Sequence, residues 1–226
     1  MACCCINDDG KDELEFKASL PADEAAVPIR EDEKEKKMSA EPEPVSFGSF
    51  EVTVPIRGKP LGLELDSTAT VRSKGGLMVK AIKDGAIKDF NDSNPSQAIC
   101  LYDEFTLVDE VTDRKAMKTK LNPHVTKLPE MLKLRLDRPR AFEVILVKPG
   151  MLGLKLDFKA NSAGSVVEEI LPDGLVTKWN SSHVESERVR PGDRIIEVNG
   201  TAYEGSEMMD VLKTENRLEL KVLKYP

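Results

Sequence analysis

The sequence predicts a mainly β protein with short helices, built as two partly open barrels or sandwiches of one kind behind a disordered acidic tail. Three observations carry that expectation. Five segments recur in the same order at a spacing of about 90 residues. Most of them alternate apolar and polar residues, the period-2 mark of half-buried strands. The acidic excess, finally, is confined to one end of the chain: residues 1–47 hold 13 Asp or Glu against 6 Lys or Arg, while the other 179 balance 27 against 27.

The tail 1–47 contains Asp8-Asp9, Glu31-Asp32-Glu33-Lys34-Glu35-Lys36-Lys37 and Glu41-Pro42-Glu43-Pro44. Such runs lack aromatic and β-branched residues and bury too little apolar surface to offset the entropy of ordering, so this stretch reads as disordered. Three of the four cysteines, Cys3, Cys4 and Cys5, stand together near its start, and only Cys100 lies elsewhere. Adjacent cysteines rarely meet disulfide geometry, and no apolar secretory region is present, so a reducing cytoplasmic setting is expected. Zinc fits poorly because neither the spacing nor a further His or Cys pair completes a shell. Exposed thiols on a flexible terminus permit S-acylation, which would tether the protein to the cytoplasmic face of a membrane, since two or three acyl chains anchor stably at about 0.8 kcal/mol per buried methylene. Ala2 excludes N-myristoylation, and the acidic neighbours oppose an anionic leaflet. An unmodified or redox-labile cluster is the competing reading.

Within the repeat, Phe50-Glu51-Val52 and Leu61-Gly62-Leu63-Glu64-Leu65-Asp66 answer to Phe142-Glu143-Val144 and Leu152-Gly153-Leu154-Lys155-Leu156-Asp157. Each set reads as strand, loop, strand. Asp84-Gly85-Ala86-Ile87 then matches Asp173-Gly174-Leu175-Val176, each opening a short helix. Phe105-Thr106-Leu107-Val108 matches Ile195-Ile196-Glu197-Val198, and Leu132-Lys133-Leu134-Arg135-Leu136 matches Leu218-Glu219-Leu220-Lys221-Val222. In the second copy Ser206 is expected to cap a helix in which Met208, Met209 and Leu212 share a face. The copies meet at Pro139 and Arg140 with almost no linker, which restrains them against each other.

The second copy, 140–226, resembles a PDZ domain. The resemblance rests on the run from Phe142 through Lys148-Pro149-Gly150-Met151-Leu152-Gly153-Leu154, similar to that family's first strand and carboxylate-binding loop. It rests equally on Val189-Arg190-Pro191-Gly192-Asp193-Arg194-Ile195-Ile196-Glu197-Val198-Asn199-Gly200, similar to its turn and fourth strand. The first copy, 48–139, resembles the family through its repeat partner and through Lys59-Pro60-Leu61-Gly62-Leu63. It diverges where Tyr102-Asp103-Glu104-Phe105 replaces the Pro-Gly-Asp-Arg turn and Asp109-Glu110 replaces Asn-Gly, and its region 111–129 carries no clear assignment.

The resemblance implies a groove between the second strand and the second helix, in which a C-terminal or internal peptide segment of another protein adds as a strand. It places the carboxylate-binding backbone at Leu152, Gly153 and Leu154 in one copy and at Leu61, Gly62 and Leu63 in the other, with Arg57, Lys59 and Lys148 adding positive potential. Taken alone, a Leu-Gly-Leu run is an ordinary turn with core leucines. On the helical side of the grooves the sequence offers Met209, with Gly205 or Ser206 one turn earlier. For the first copy it offers either a helix opened by Asn122-Pro123 with His124 and Leu128 facing the groove, or a helix over 113–121 with Met117 and Leu121 as its apolar pair. Asp193 and Asn199 read as turn-stabilising residues.

Other function classes find little support. The net charge of −7 has the wrong sign for phosphate neutralisation, so no nucleic acid is expected. No apolar run approaches the roughly 20 residues of a spanning helix. With only His124 and His183, no nucleophile elbow, no phosphate loop and no metal-ligand cluster, neither an enzyme nor a cofactor is expected. The reading is a peptide-binding adaptor. Its rival is a structural protein whose two copies occlude each other's grooves and act by oligomerising.

Overall fold

The computed structural model describes residues 46–68, 77–122 and 127–226; Cys3, Cys4, Cys5 and His124 lie outside the described residues. Two open antiparallel sheets are formed. The first contains β1 (Gly48–Pro55), β2 (Leu63–Asp66), β3 (Leu77–Ile82), β4 (Glu104–Val108) and β5 (Met131–Arg138), in the order β1-β5-β4-β3-β2. Helix α1 (Ala86–Ser93) follows β3, and α2 (Arg114–Lys120) follows β4. The second sheet contains β6 (Arg140–Val147), β7 (Leu154–Asp157), β8 (Ser165–Ile170), β9 (Arg194–Val198) and β11 (Arg217–Lys224), in the order β6-β11-β9-β8-β7, with the short β10 (Thr201–Ala202) paired to β9. Helices α3 (Leu175–Ser182) and α4 (Gly205–Thr214) complete the set. The architecture is mainly β with short helices, in two PDZ-like sandwiches, and it leaves β2 and β7 as edge strands.

Period-2 patterning explains the strands. In β1 Val52 and Val54 turn inward while Glu51 and Thr53 face out, and in β5 Leu132, Leu134 and Leu136 are all fully buried against them. Val144 and Leu146 meet Leu218, Leu220 and Val222 in the same way across β6 and β11. Each such side chain contributes about 1.5–3 kcal/mol on burial. The edge strands also match in detail: β2 shifts register against β3 between Glu64 and Leu65, and β7 against β8 between Lys155 and Leu156. The extra residue is Lys80 of β3 in one copy and Glu168 of β8 in the other, so the same bulge stands opposite each edge strand.

One open alternative is decided and three expectations need correction. In region 111–129 the helix is α2: the Asp113 side chain accepts the Ala116 amide as N-cap, and Met117 and Leu121 are buried. Asp at the N-cap satisfies an otherwise orphaned amide, which fixes the helix here. Leu128 therefore lies on no helix; it sits in the segment before β5 and packs, partly buried, on the first core. Ser206 does not cap α4, which starts one residue earlier, at Gly205, with Glu204 as N-cap. The divergent turn, finally, is displaced by one residue from its expected alignment. Asp103 accepts the Cys100 amide at 2.7 Å as Asp193 accepts that of Arg190 at 2.8 Å, and Tyr102 (φ 70°) takes the left-handed position of Gly192 (φ 95°).

Asp109 likewise does the work of Asn199. Both have φ 53°; the Asp109 carboxylate accepts the Lys133 amide as the Asn199 side-chain oxygen accepts that of Glu219, and their own amides donate to the Lys133 and Glu219 carbonyls. Asp and Asn tolerate the left-handed region and bond nearby backbone, so the exchange preserves the turn. Trp179 is a packing residue: it lies partly buried on the second core, its Nε1 donates to the Glu187 carbonyl, and its ring stacks on His183 at 3.5 Å.

The two sheets are joined by a buried ion pair. Arg194 Nη1 donates to Asp66 Oδ2 at 2.9 Å, with the side chains 2% and 3% exposed, and also to the Ala163 carbonyl. The Ala163 amide donates to the same carboxylate oxygen, and the Thr68 amide to Oδ1. Around this centre Lys80 donates to the Asn161 carbonyl and meets Glu204, Lys159 donates to Ser67, and the Tyr225 hydroxyl donates to the Tyr102 carbonyl at 3.0 Å. Burial pushes the Tyr225 phenol well above its ordinary pKa. For Asp66 burial works upward too, but the Arg194 charge and the bonds from Thr68 and Ala163 outweigh it and hold the carboxyl below the usual aspartate value.

Removing one partner of a buried pair strands the other, at about 3–5 kcal/mol. Asp66→Ala should lower the unfolding free energy by that order, measured by urea denaturation at neutral pH. Because the Asp66 pKa is depressed in the folded state, its stabilisation is complete above the unfolded value near 4 and is lost as pH falls through the lower folded value. The gap between wild type and Asp66→Ala should therefore narrow on acidification below about pH 4, and a gap that widens there would contradict the assignment.

Candidate functional site

The two copies build the same loop in front of their edge strands. In the first, the Pro60 and Leu61 carbonyls accept from the amides of Ala86 (2.9 Å) and Ile87 (3.2 Å), the first residues of α1. In the second, the Met151 and Leu152 carbonyls accept from Leu175 (2.9 Å) and Val176 (3.1 Å) at the start of α3. Neither helix has a side-chain cap, so the loops satisfy amides that would otherwise be orphaned. The Gly62 and Gly153 carbonyls are held in turn by Lys83 N and Leu171 N.

This anchoring turns the loop carbonyls inward and leaves amides over. Among the described residues no protein group accepts from the N–H of Leu61, Gly62, Leu152 or Gly153. Leu63 pairs with Ile82, and Leu154 with Ile170, one step beyond the bonded positions Gly62/Lys83 and Gly153/Leu171. In an antiparallel ladder bonded and non-bonded pairs alternate, so the Leu63 and Leu154 amides face the open edge. Each copy thus offers three successive backbone donors at the head of an edge strand. A left-handed residue within such a run gives the concave arrangement that binds anions, and Gly62 (φ 73°) and Gly153 (φ 74°) supply it.

Glycine is also required opposite the loop. A Cβ on Gly174 would lie 2.4 Å from Gly153 Cα, and one on Gly85 would lie 2.5 Å from the Pro60 carbonyl oxygen. Gly85 and Gly174 are the site residues that sequence reasoning passed over as helix starts. Their signal was present in the repeat, where Asp-Gly precedes the helix in both copies.

The surroundings of the two loops differ. Leu61 is buried in the first core, whereas Leu152 is only partly buried and Met151 is 80% exposed. Lys148 does not face the loop: its Nζ donates to the Leu212 and Lys213 carbonyls at the end of α4, where a cation complements the helix dipole. Lys59 is paired with Asp89. In α4, Met209 is partly buried against the second core, one turn from the buried Gly205. His124 lies outside the described residues, and Leu128 packs on the core from outside any helix. Among the described residues no cluster of His, Cys, Asp or Glu could hold a metal ion, and no helix is long and apolar enough to cross a membrane.

The close approach of loop and helix makes a prediction. Gly200 also has a left-handed φ (75°), but nothing lies within 4 Å of its Cβ position. Gly200→Ala should cost only the left-handed penalty, about 1–2 kcal/mol. Gly174→Ala, which forces backbone against backbone, should cost more and displace the amide resonances of Leu152 and Gly153. Urea midpoints of the two variants, compared with amide spectra, check both.

No protein-family model and no curated protein matches the chain. Among solved structures it is similar to a complex of INAD PDZ45 with an NG2 peptide, at 15% identity over 82% of this chain and 95% of that one, with a TM-score of 0.34. It is similar also to a complex of INAD PDZ45 with NORPA CC-PBM, at 19% identity over 82% and 95%, TM-score 0.33. A third similarity is to the PDZ domain of a choanoflagellate SHANK1 bound to a GIRK3 peptide, at 17% identity over 38% of this chain and 94% of that one, TM-score 0.32.

Proposed function

We propose that this chain is a non-catalytic adaptor with a divergent PDZ-like domain at 48–139 and a second PDZ domain at 140–226, each capturing C-terminal or internal peptide segments of partner proteins by strand addition. The observation that carries the reading is the pair of glycine-kinked loops whose amides find no acceptor among the described residues, each set at the head of an edge strand. A peptide would extend the sheet along β7 or β2, while its terminal carboxylate takes the donors of Leu152, Gly153 and Leu154, or of Leu61, Gly62 and Leu63. Main-chain bonds along the edge supply affinity, and side chains on alternate positions supply selectivity. Met209 offers the second groove an apolar contact.

Charge-assisted hydrogen bonds contribute about 1.5–3 kcal/mol each. Amidating the terminus of a bound C-terminal peptide should therefore weaken binding by about 3 kcal/mol after partial rehydration, close to a hundredfold. Titration of the full chain with free-acid and amidated forms of one peptide reads this directly, and equal affinities would remove the carboxylate from the mechanism. Gly153→Asp is a poor probe from the protein side, because a Cβ there would meet Gly174 Cα at 2.7 Å. Met151→Glu places a like charge beside the loop at an exposed position and should weaken the free acid at least tenfold without loss of stability.

The acidic tail and Cys3, Cys4 and Cys5 complete the proposal as a linker and an acylated tether to a membrane surface. Replacing all three cysteines with Ser should move the protein from the membrane fraction to the soluble fraction and abolish labelling by palmitate. A wild-type protein that is soluble and unlabelled in its own cells would remove the tether and leave the adaptor.

A further inference from the structure

The helices beside the two edge strands differ in charge at matching positions. Met117 and Leu121 of α2 are 0% and 5% exposed, and Met208 and Leu212 of α4 are 0% and 2% exposed, so these i, i+4 core pairs align one helix on the other. Arg114 then stands where α4 has Gly205, and Lys118 where it has Met209. Helix α2 contains four basic residues and no acidic one; α4 carries Glu207 and Asp210 against Lys213.

Arg114 reaches over the groove. Its Nη1 lies 3.5 Å from the carbonyl of Ser67, the residue after β2, so the guanidinium spans from the helix to the far end of the edge strand. Lys118 lies four residues on, along the same stripe of the helix and closer to the loop that carries Gly62. Lys120 is paired with Asp109 at 2.7 Å, but among the described residues no carboxylate lies within 4.0 Å of Arg114 or Lys118. Two cations therefore border the first groove without a counterion among the described residues, whereas the second groove has a glycine and a methionine at those places.

We propose that the first groove selects C-terminal peptides with Asp or Glu two to four residues before the terminus. This rests on the carboxylate reading of Leu61, Gly62 and Leu63. A strand laid antiparallel along β2 advances about 3.3 Å per residue and presents alternate side chains to the helix. From Arg114 to Leu121 the helix rises about 10 Å, so a peptide anchored at the loop passes Lys118 and Arg114 within its last few residues. An acidic side chain there supplies the missing counterion in a partly desolvated groove; a lysine meets like charge and is rejected.

The test uses the full chain, isotope-labelled, with C-terminal peptides that differ only in carrying Asp, Ala or Lys at the second and fourth residues before the terminus. The amide resonances of Gly62 and Gly153 report the two grooves separately. At Gly62 the Asp peptide should bind at least tenfold tighter than the Lys peptide, with the advantage shrinking as salt is raised. The double variant Arg114→Glu, Lys118→Glu should reverse the order at Gly62 and leave titrations read at Gly153 unchanged, which also reports that the fold is intact. Equal binding of the three peptides at Gly62, with the free acid still preferred to the amide, overturns the charge selectivity alone. Loss of the free-acid preference overturns the groove reading beneath it. Perturbation of Gly62 by anionic lipid vesicles but by none of the peptides would assign this surface to a membrane and overturn the proposal.

Discussion

The first amides of α1 and α3 need acceptors, and neither helix has a side chain to provide them. The loops before β2 and β7 supply carbonyls instead, and most of the site's geometry follows from that exchange. A carbonyl turned toward the helix commits its peptide plane, so neighbouring N–H groups are left without partners among the described residues. A segment that caps a helix with its oxygens thus leaves a row of backbone donors with its nitrogens. The contact tolerates no Cβ at Gly85 or Gly174 and wants a left-handed residue at Gly62 and Gly153. Two glycines per copy, 21 or 23 residues apart in sequence, are thus one feature in space.

A second constraint acts between the copies. Asp66 closes β2, and its repeat equivalent Asp157 closes β7, but only Asp66 meets a buried arginine, because Arg194 follows Asp193 where the first copy has Glu104. The hydrogen bonds and ion pairs described around Asp66 lie at the far end of β2 from Leu61, Gly62 and Leu63. The copies are fastened there without any of these bonds falling on a carboxylate loop.

Much of this was legible in the sequence, for physical reasons. Alternation marked the strands because each sheet buries one face, and duplication marked the two sheets because both share one strand order. The loop residues were found from a family pattern, and the backbone bonds now explain why Leu-Gly-Leu must be followed at a distance by Asp-Gly. Less legible were positions where different residues do one job. Asp109 for Asn199 and Tyr102 for Gly192 looked like losses, yet both turns keep their left-handed residue and Asp109 keeps its bonds. Helix α2 competed with a second candidate because Pro after Asn is as good a helix start as Asp at an N-cap; the core pair Met117 and Leu121 decided it, and burial is a tertiary fact. Arg194 gave no sign of its partner, since 128 residues separate it from Asp66.

A shared backbone frame carries a different lining in each copy. Both copies keep the glycines, the bulge opposite the edge strand and the i, i+4 core pair of the second helix, all of which act through backbone or buried contacts. What differs lies on the groove side of that helix, where Arg114 and Lys118 replace Gly205 and Met209. Arg114 and Lys118 contribute little to folding, because long cationic side chains pay rotamer entropy and gain only weak surface electrostatics. Surface changes of this kind usually alter stability by no more than about 0.5 kcal/mol, whereas a Cβ added to any of the loop glycines would meet backbone closer than 3 Å. A duplicated domain is therefore free to diverge in what it selects long before it is free to diverge in how it grips.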